Sequence, residues 1–188
     1  VYAAPQVIKH SLDTENQDEL AAVPGPPGGM CWSFRVSSAS VQSMDSNGEL
    51  VIVAGMRNVY AFDGKTFRQV WHYKNKKFFK KIRVCGNQLV YMRSYKDFRL
   101  GALDLKTGRL LYENVAPGRV EAFSTLGDDT VFFYCSKSHE DSWFEARDAR
   151  SGLVLWKRKY EDRNWLRHSK NNVFEKTNDG LLRLDGRT

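Results

Sequence analysis

The 188-residue chain is poor in the residues that build most catalytic, metal-binding and disulfide-stapled domains. It has three cysteines, four histidines and five prolines. Cys31, Cys85 and Cys135 are odd in number and far apart, which excludes a disulfide framework, and no Cys-x-x-Cys-His haem attachment occurs. His10, His72, His139 and His168 are dispersed, with no pair at metal-ligating spacing, so no metal is expected. No apolar run approaches the roughly 20 residues that span a bilayer, and no signal-peptide pattern is present. A membrane partner is therefore not expected. There is no Gly-rich phosphate loop leading into a helix and no Asn-x-Ser/Thr acceptor. Unpaired thiols and absent acceptors point to a reducing, intracellular setting, cytoplasm or nucleus. Convincing 3.6-residue apolar periodicity with caps is also missing, so the chain reads as all-β.

What is present is repetition. An eleven-position phrase, Ala-x-Asp-x-x-x-Gly-x-x-x-Trp, is complete as Ala146, Asp148, Gly152 and Trp156. It recurs with Tyr for Trp as Ala102, Asp104, Gly108 and Tyr112, and with Phe67 for Gly as Ala61, Asp63 and Trp71. A decayed copy stands upstream as Ala22, Pro24, Gly28 and Trp32, and a truncated one closes the chain at Leu184-Asp185-Gly186-Arg187-Thr188. The aromatic ends lie 39, 41 and 44 residues apart. Self-similarity at about forty residues is the period of a β-propeller blade. Each unit carries alternating, β-branched-rich runs: Leu50-Val51-Ile52-Val53, Gln88-Leu89-Val90-Tyr91-Met92 and Thr130-Val131-Phe132-Phe133-Tyr134. The Asp, the Thr or Ser three residues on, and the Gly after it are hairpin-turn chemistry. The carboxylate accepts turn N–H bonds and Gly takes a positive φ cheaply. The large aromatic that follows is placed to cover the space between neighbouring sheets.

This pattern resembles the tryptophan-docking motif of the quinoprotein family, the pyrroloquinoline-quinone-like propellers, over residues 30–188. The WD-repeat family is the nearest rival, but the Trp-Asp and Gly-His pairs it needs are not in place. The resemblance implies that Trp71, Tyr112 and Trp156 pack against Ala and Gly backbone of adjacent blades, with Ala61, Ala102 and Ala146 as the small partners. About four four-stranded antiparallel blades fit into 188 residues, whereas a closed propeller usually needs about 250 or more. The expectation is therefore part of a larger propeller, whose remaining blades come from more chain or from a partner.

Residues 1–31 differ from the rest. Lys9 stands against Asp13, Glu15, Asp18 and Glu19, which leaves +10 on residues 32–188 of a chain whose formal charge is +7. The stretch 21–29 is rich in Pro and Gly and unlike a strand, so 1–31 is expected to be a loop or linker, or the end of a preceding blade, with the propeller blades over 32–188.

Two basic stretches stand out. Residues 74–83 set Lys74, Lys76, Lys77, Lys80, Lys81 and Arg83 around Phe78 and Phe79. The second holds Lys157, Arg158, Lys159, Arg163, Arg167 and Lys170, with Trp165 between. Both fall in the same register of the repeat and are expected near one another on successive blades. They offer an electropositive surface for an acidic protein or a nucleic acid, with Phe79 or Trp165 available for stacking. The alternative is a solvated turn and a strand whose Lys stems cover apolar surface. Polar loops are expected at 94–99, with Tyr95 and Arg99, and at 136–143, with His139. Such loops share one propeller rim, where partners dock.

The family resemblance raises quinone catalysis, but the adjacent cysteines of those enzymes are absent, and Asp63, Asp104 and Asp148 are turn residues. Ser138-His139-Glu140-Asp141-Ser142 holds every residue type of a nucleophilic triad, yet neighbours in sequence point apart. No catalytic residue and no cofactor is expected. The reading is a non-catalytic scaffold for protein–protein interaction in a larger complex, extending by analogy to substrate recognition in a ubiquitin-ligase adaptor. The alternatives are a nucleic-acid-associated propeller using its basic patches and a fragment of a quinone-dependent dehydrogenase.

Overall fold

The computed structural model describes residues 41–160 apart from 77, 96, 117 and 138–140, and the backbone of strands nearer the ends. The side chains of 94, 95 and 97 lie outside the description, as do those of the terminal strands except Phe174 and Arg183. Among the described residues there is no α-helix, and none is therefore long and apolar enough to cross a membrane.

The chain folds as two compact units, Val1–Val41 and Gln42–Thr188. In the first unit β1 (Lys9–Asp13), β2 (Asp18–Pro24) and β3 (Met30–Arg35) form an antiparallel sheet in that order. Residues 18–24 are therefore strand, which departs from the loop or linker reading of 1–31 and not from its alternative, the end of a preceding blade. Ala21-Ala22-Val23-Pro24 pairs with β3 through Pro24↔Met30 and Ala22↔Trp32. Pro closes the strand, where a missing N–H costs least.

The second unit holds three four-stranded antiparallel sheets and one of three strands. Sheet 1 is β4 (Ser43–Ser46), β5 (Leu50–Ala54), β6 (Asn58–Asp63) and β7 (Gln69–Lys74). Sheet 2 is β8 (Phe79–Cys85), β9 (Gln88–Tyr95), β10 (Asp97–Asp104) and β11 (Leu110–Val115). Sheet 3 is β12 (Arg119–Leu126), β13 (Thr130–Ser136), β14 (Ser142–Asp148) and β15 (Val154–Lys159). The last comprises β16 (Leu166–Ser169), β17 (Asn172–Thr177) and β18 (Gly180–Leu184). Strands follow chain order in every sheet.

The first strands of sheets 1, 2 and 3 lie side by side. The Val84 and Ile82 amides of β8 donate to Asp45 Oδ2 (2.8 Å) and Ser43 Oγ (3.2 Å) of β4. Lys81 Nζ of β8 donates to the Phe123 carbonyl of β12 at 3.2 Å. From that common line the sheets stack face to face, which is the arrangement of propeller blades. Alternation along β9 shows why its run Leu89–Met92 is apolar without a break: Leu89 and Tyr91 pack towards sheet 1, Val90 and Met92 towards sheet 3. One core fills each of these two seams, and a third cluster, Leu126, Phe132, Phe144 and Ala146, lies on the other face of sheet 3.

The polypeptide alternates between two rims. Turns 47–49, 64–68, 86–87, 105–109, 127–129 and 149–153 form one, called here the turn rim. The strand ends at Ala54 and Asn58, Lys74 and Phe79, Val115 and Arg119, and Ser136 and Ser142 mark the opposite, or connection, rim. Backbone bonds tie neighbours on each, such as Gly64 N–H to Glu49 O on the turn rim and Asn75 N–H to Arg57 O on the connection rim.

Candidate interaction surface

The three repeated phrases fold into one and the same turn. Backbone N–H groups of Phe67, Gly108 and Gly152 donate to the carbonyls of Asp63, Asp104 and Asp148, each at 2.8 Å. The carboxylate of each Asp accepts from the amide and hydroxyl of Thr66, Thr107 or Ser151. These bonds hold two of the carboxyls below their usual range, at Asp63 chiefly through the Thr66 amide and at Asp104 chiefly through the Thr107 hydroxyl. Gly108 and Gly152 sit at φ 69° and 72°, and Phe67, in their place, at 54°. The left-handed turn is thus kept even where its glycine is lost.

After the turn the aromatic pairs across the hairpin with the repeat's alanine: Ala61↔Trp71, Ala102↔Tyr112 and Ala146↔Trp156. It then reaches across the seam. Trp71 Nε1 donates to the carbonyl of Leu105 in sheet 2 at 2.9 Å, and its ring lies where a Cβ on Gly108 would be 2.7 Å away. The Tyr112 ring lies over Gly152 of sheet 3 in the same manner. Small residues receive large ones, so sheet 1 is pinned to sheet 2 and sheet 2 to sheet 3, while Trp156 packs against Phe132 of its own sheet.

At the opposite end of the seam between sheets 1 and 2 lies a polar cluster. Arg93, 4% exposed, forms an ion pair with Glu113 and donates to Asn75 Oδ1 at 2.9 Å, while its Nε is buried without a partner. Glu113 also accepts from the Tyr91 hydroxyl at 2.8 Å and lies 3.6 Å from Arg99. Gly101, opposite both Tyr91 and Glu113, leaves room for the Tyr91 ring. Burial first, then the Glu113 carboxylate, holds the Tyr91 hydroxyl protonated far beyond the usual tyrosine range. A second cluster lies in sheet 3. Glu145, 2% exposed, is bonded by Arg147 and by the Trp143 indole, and Arg147 also reaches the Gly152 carbonyl in the docked turn.

Asn75 links the first cluster to the basic connection above it. There Arg57 lies over the Phe78 ring at 5.2 Å. Lys74, Lys76 and Lys80 are exposed, and among the described residues no ion pair neutralises them. The arrangement is a rigid, positively charged corner of the connection rim, standing on a buried ion-pair network.

A family model described as outer membrane protein assembly factor BamB, of the pyrroloquinoline-quinone-like repeat type, matches residues 9–188. The chain belongs to this family. BamB from Moraxella catarrhalis superposes with a TM-score of 0.61 at 14% identity, covering 98% of this chain and 62% of that one. Apo AztD from Citrobacter koseri gives 0.60 at 11%, covering 96% and 56%. The Pan2 WD40 domain from Neurospora crassa gives 0.61 at 11%, covering 84% and 52%. At such identities the likeness establishes the fold, and the chain spans less than two thirds of each of these structures. Comparison with curated proteins returned no match.

Within this family frame the predicted contact residues separate into several environments. Phe79 is 1% exposed, packed edge-on to Tyr91 at 5.2 Å, so it is core and not a stacking platform. Lys81 is bound to the Phe123 carbonyl, and burial, with Arg83 nearby, lowers its pKa. Arg83 faces Asp45 at 4.0 Å. Arg99 joins the Glu113 cluster. Residues 94–99 are not a long loop, because β9 and β10 pair up to Tyr95↔Asp97. Arg158 is exposed on β15. Lys76 and Lys80 are exposed at the basic connection. Lys77, His139, Arg163 and Trp165, and the side chain of Tyr95, lie outside the described residues. Sequence reasoning does not reach the Arg93–Glu113–Tyr91 cluster. Its one signal is Gly101, a glycine inside a strand, which marks close approach of another group.

Proposed function

We propose that the chain serves as a non-catalytic platform for protein–protein contact within a larger assembly. The observation that carries this reading is the family match over residues 9–188, since the matched description is that of an assembly factor. The architecture supports it: docked seams make the sheets rigid, and a rigid array can present rim residues in fixed geometry to a partner at little ordering cost. The buried polar groups support it too, because Glu145–Arg147 and Arg93–Glu113 are consumed in internal pairs.

Gentle affinity purification of the intact protein, followed by cross-linking and mass spectrometry, tests the reading. A small set of near-stoichiometric protein partners is expected. Their identity separates an assembly role of the kind the family description names from substrate recognition in a ubiquitin-ligase adaptor, which would bring ligase subunits with it. Purification of the intact protein alone, with no partner above background, overturns the platform.

A further inference from the structure

The two rims of the second unit differ in how their charges are used. On the turn rim each capping carboxylate is spent on its own turn and accompanied by cations: Asp63 by Lys65 and Arg68, Asp104 by Lys106 and Arg109, Asp148 by Arg150. On the connection rim the corner between sheets 1 and 2 presents Arg57, Lys74, Lys76 and Lys80, all exposed. Beneath them stand Arg93 and Arg99, with Glu113 as the acid that binds both. Among the described residues one carboxylate faces this many cations, which leaves a positive potential at the corner, focused by the low-dielectric seam below.

The patch is compact. The next connection on the same rim, 116–118, is Ala-Pro-Gly, and Arg119 beyond it is paired with Glu121 at 2.9 Å. A nucleic acid would need cations strung along a phosphate track and aromatic faces for its bases. Among the described residues the aromatics of the basic connection are already engaged: Phe78 lies under Arg57 and Phe79 is core.

From this we infer that the corner formed by Arg57, Lys74, Lys76 and Lys80 docks a short acidic segment of a partner protein. The inference rests on the platform reading and names the chemistry of its partner. Carboxylates at alternate positions of an extended segment meet the Lys ammonium groups as point charges, and the contact is strongly salt-dependent. Arg93 and Arg99 supply field and stiffness from below.

Fluorescence anisotropy on the intact protein tests it, with three probes: a labelled twelve-residue Asp/Glu/Ser peptide, a labelled (dT)20 strand, and vesicles of 30% anionic phospholipid. The expected result is peptide binding at 50 mM salt that weakens at least tenfold by 300 mM. The triple variant Lys74→Glu/Lys76→Glu/Lys80→Glu should lose it at least tenfold, and the corresponding Lys→Arg triple should keep it. Lys65→Glu/Lys106→Glu on the turn rim is the folded control and should bind as wild type does. Absence of peptide binding at 50 mM overturns the inference. So does equal loss in the turn-rim control, loss in the Lys→Arg triple, or tighter binding of (dT)20 or vesicles than of the peptide. The two proposals fail separately. A partner complex that survives the Lys→Glu triple sinks the docking corner alone, whereas a protein without partners sinks the platform.

Discussion

The indole N–H of Trp71 donates to the carbonyl of Leu105, 34 residues later and one sheet further on, at 2.9 Å. The indole is 7% exposed and its ring fills the space above Gly108. Trp71→Phe keeps most of the ring but leaves the Leu105 carbonyl unpaired, at a cost of about 1–3 kcal/mol. Trp71→Ala also empties the seam and should cost about 3–5 kcal/mol. Urea denaturation ranks the two. Equal, negligible losses would show that the indole does not tie the sheets.

Glycines of the same conformation should differ in tolerance. Gly108, at φ 69°, faces the Trp71 ring, whereas Gly48, at φ 90°, has nothing within 4 Å of the place an alanine methyl would occupy. Gly48→Ala therefore meets only left-handed backbone strain, about 1–2 kcal/mol. Gly108→Ala adds the clash, for a total of about 2–5 kcal/mol. Thermal or urea unfolding of both variants gives the comparison, and equal losses would contradict the docking geometry.

Much of this is legible in the chain. Ala, Asp, Gly and an aromatic at fixed spacing encode a turn whose bonds are local, so periodicity and turn chemistry reach the fold without knowledge of distant contacts. Even Phe67 in place of Gly does not hide the turn, because the Asp63 and Thr66 bonds around it remain. The seams are not legible. Whether Phe79 points to solvent or to Tyr91 depends on which face of β8 meets sheet 1, and the doublets Phe78-Phe79 and Lys80-Lys81 put both residue types on both faces. The Arg93–Glu113 pair joins residues 20 apart on non-adjacent strands, and no spacing rule announces it. In β2 the Pro24 at the strand's end, and the Pro and Gly that follow it in sequence, hide the strand from a reading by composition.

The acid limb of stability should carry the signature of the capped turns. The Asp63 and Asp104 carboxyls titrate below their usual values in the folded state. Their stabilisation is thus complete above the unfolded pKa of about 4 and is lost as pH falls through the folded values. Both groups are at the surface, so solvent screening keeps the effect modest. The double variant Asp63→Asn/Asp104→Asn should melt lower at pH 7 and show a flatter decline between pH 5 and 2.5. Parallel curves for variant and wild type would contradict the role assigned to these carboxylates.

Cys85 and Cys135 are buried thiols, and burial pushes each up to about 12. Thiolate is the reactive form, so in a Cys31→Ser background both should resist Ellman's reagent at pH 8. Labelling should then follow the rate of opening, measured independently by hydrogen exchange. Reaction at the rate of a free thiol would place them outside the cores described above.

The most direct test of sheet-to-sheet docking is a double-mutant cycle between Tyr112 and Gly152, whose positions place the ring within 2.5 Å of an added Cβ. Tyr112→Ala, Gly152→Ala and the double variant are compared by urea unfolding. The φ strain at position 152 and the Asn114 amide, 2.9 Å from an added Cβ, are present in both backgrounds, so the closer ring contact is what couples the two sites. Docking predicts that Gly152→Ala costs about 1–3 kcal/mol less once Tyr112 is Ala. Strict additivity would contradict the claim that the aromatic of one repeat is seated on the turn of the next.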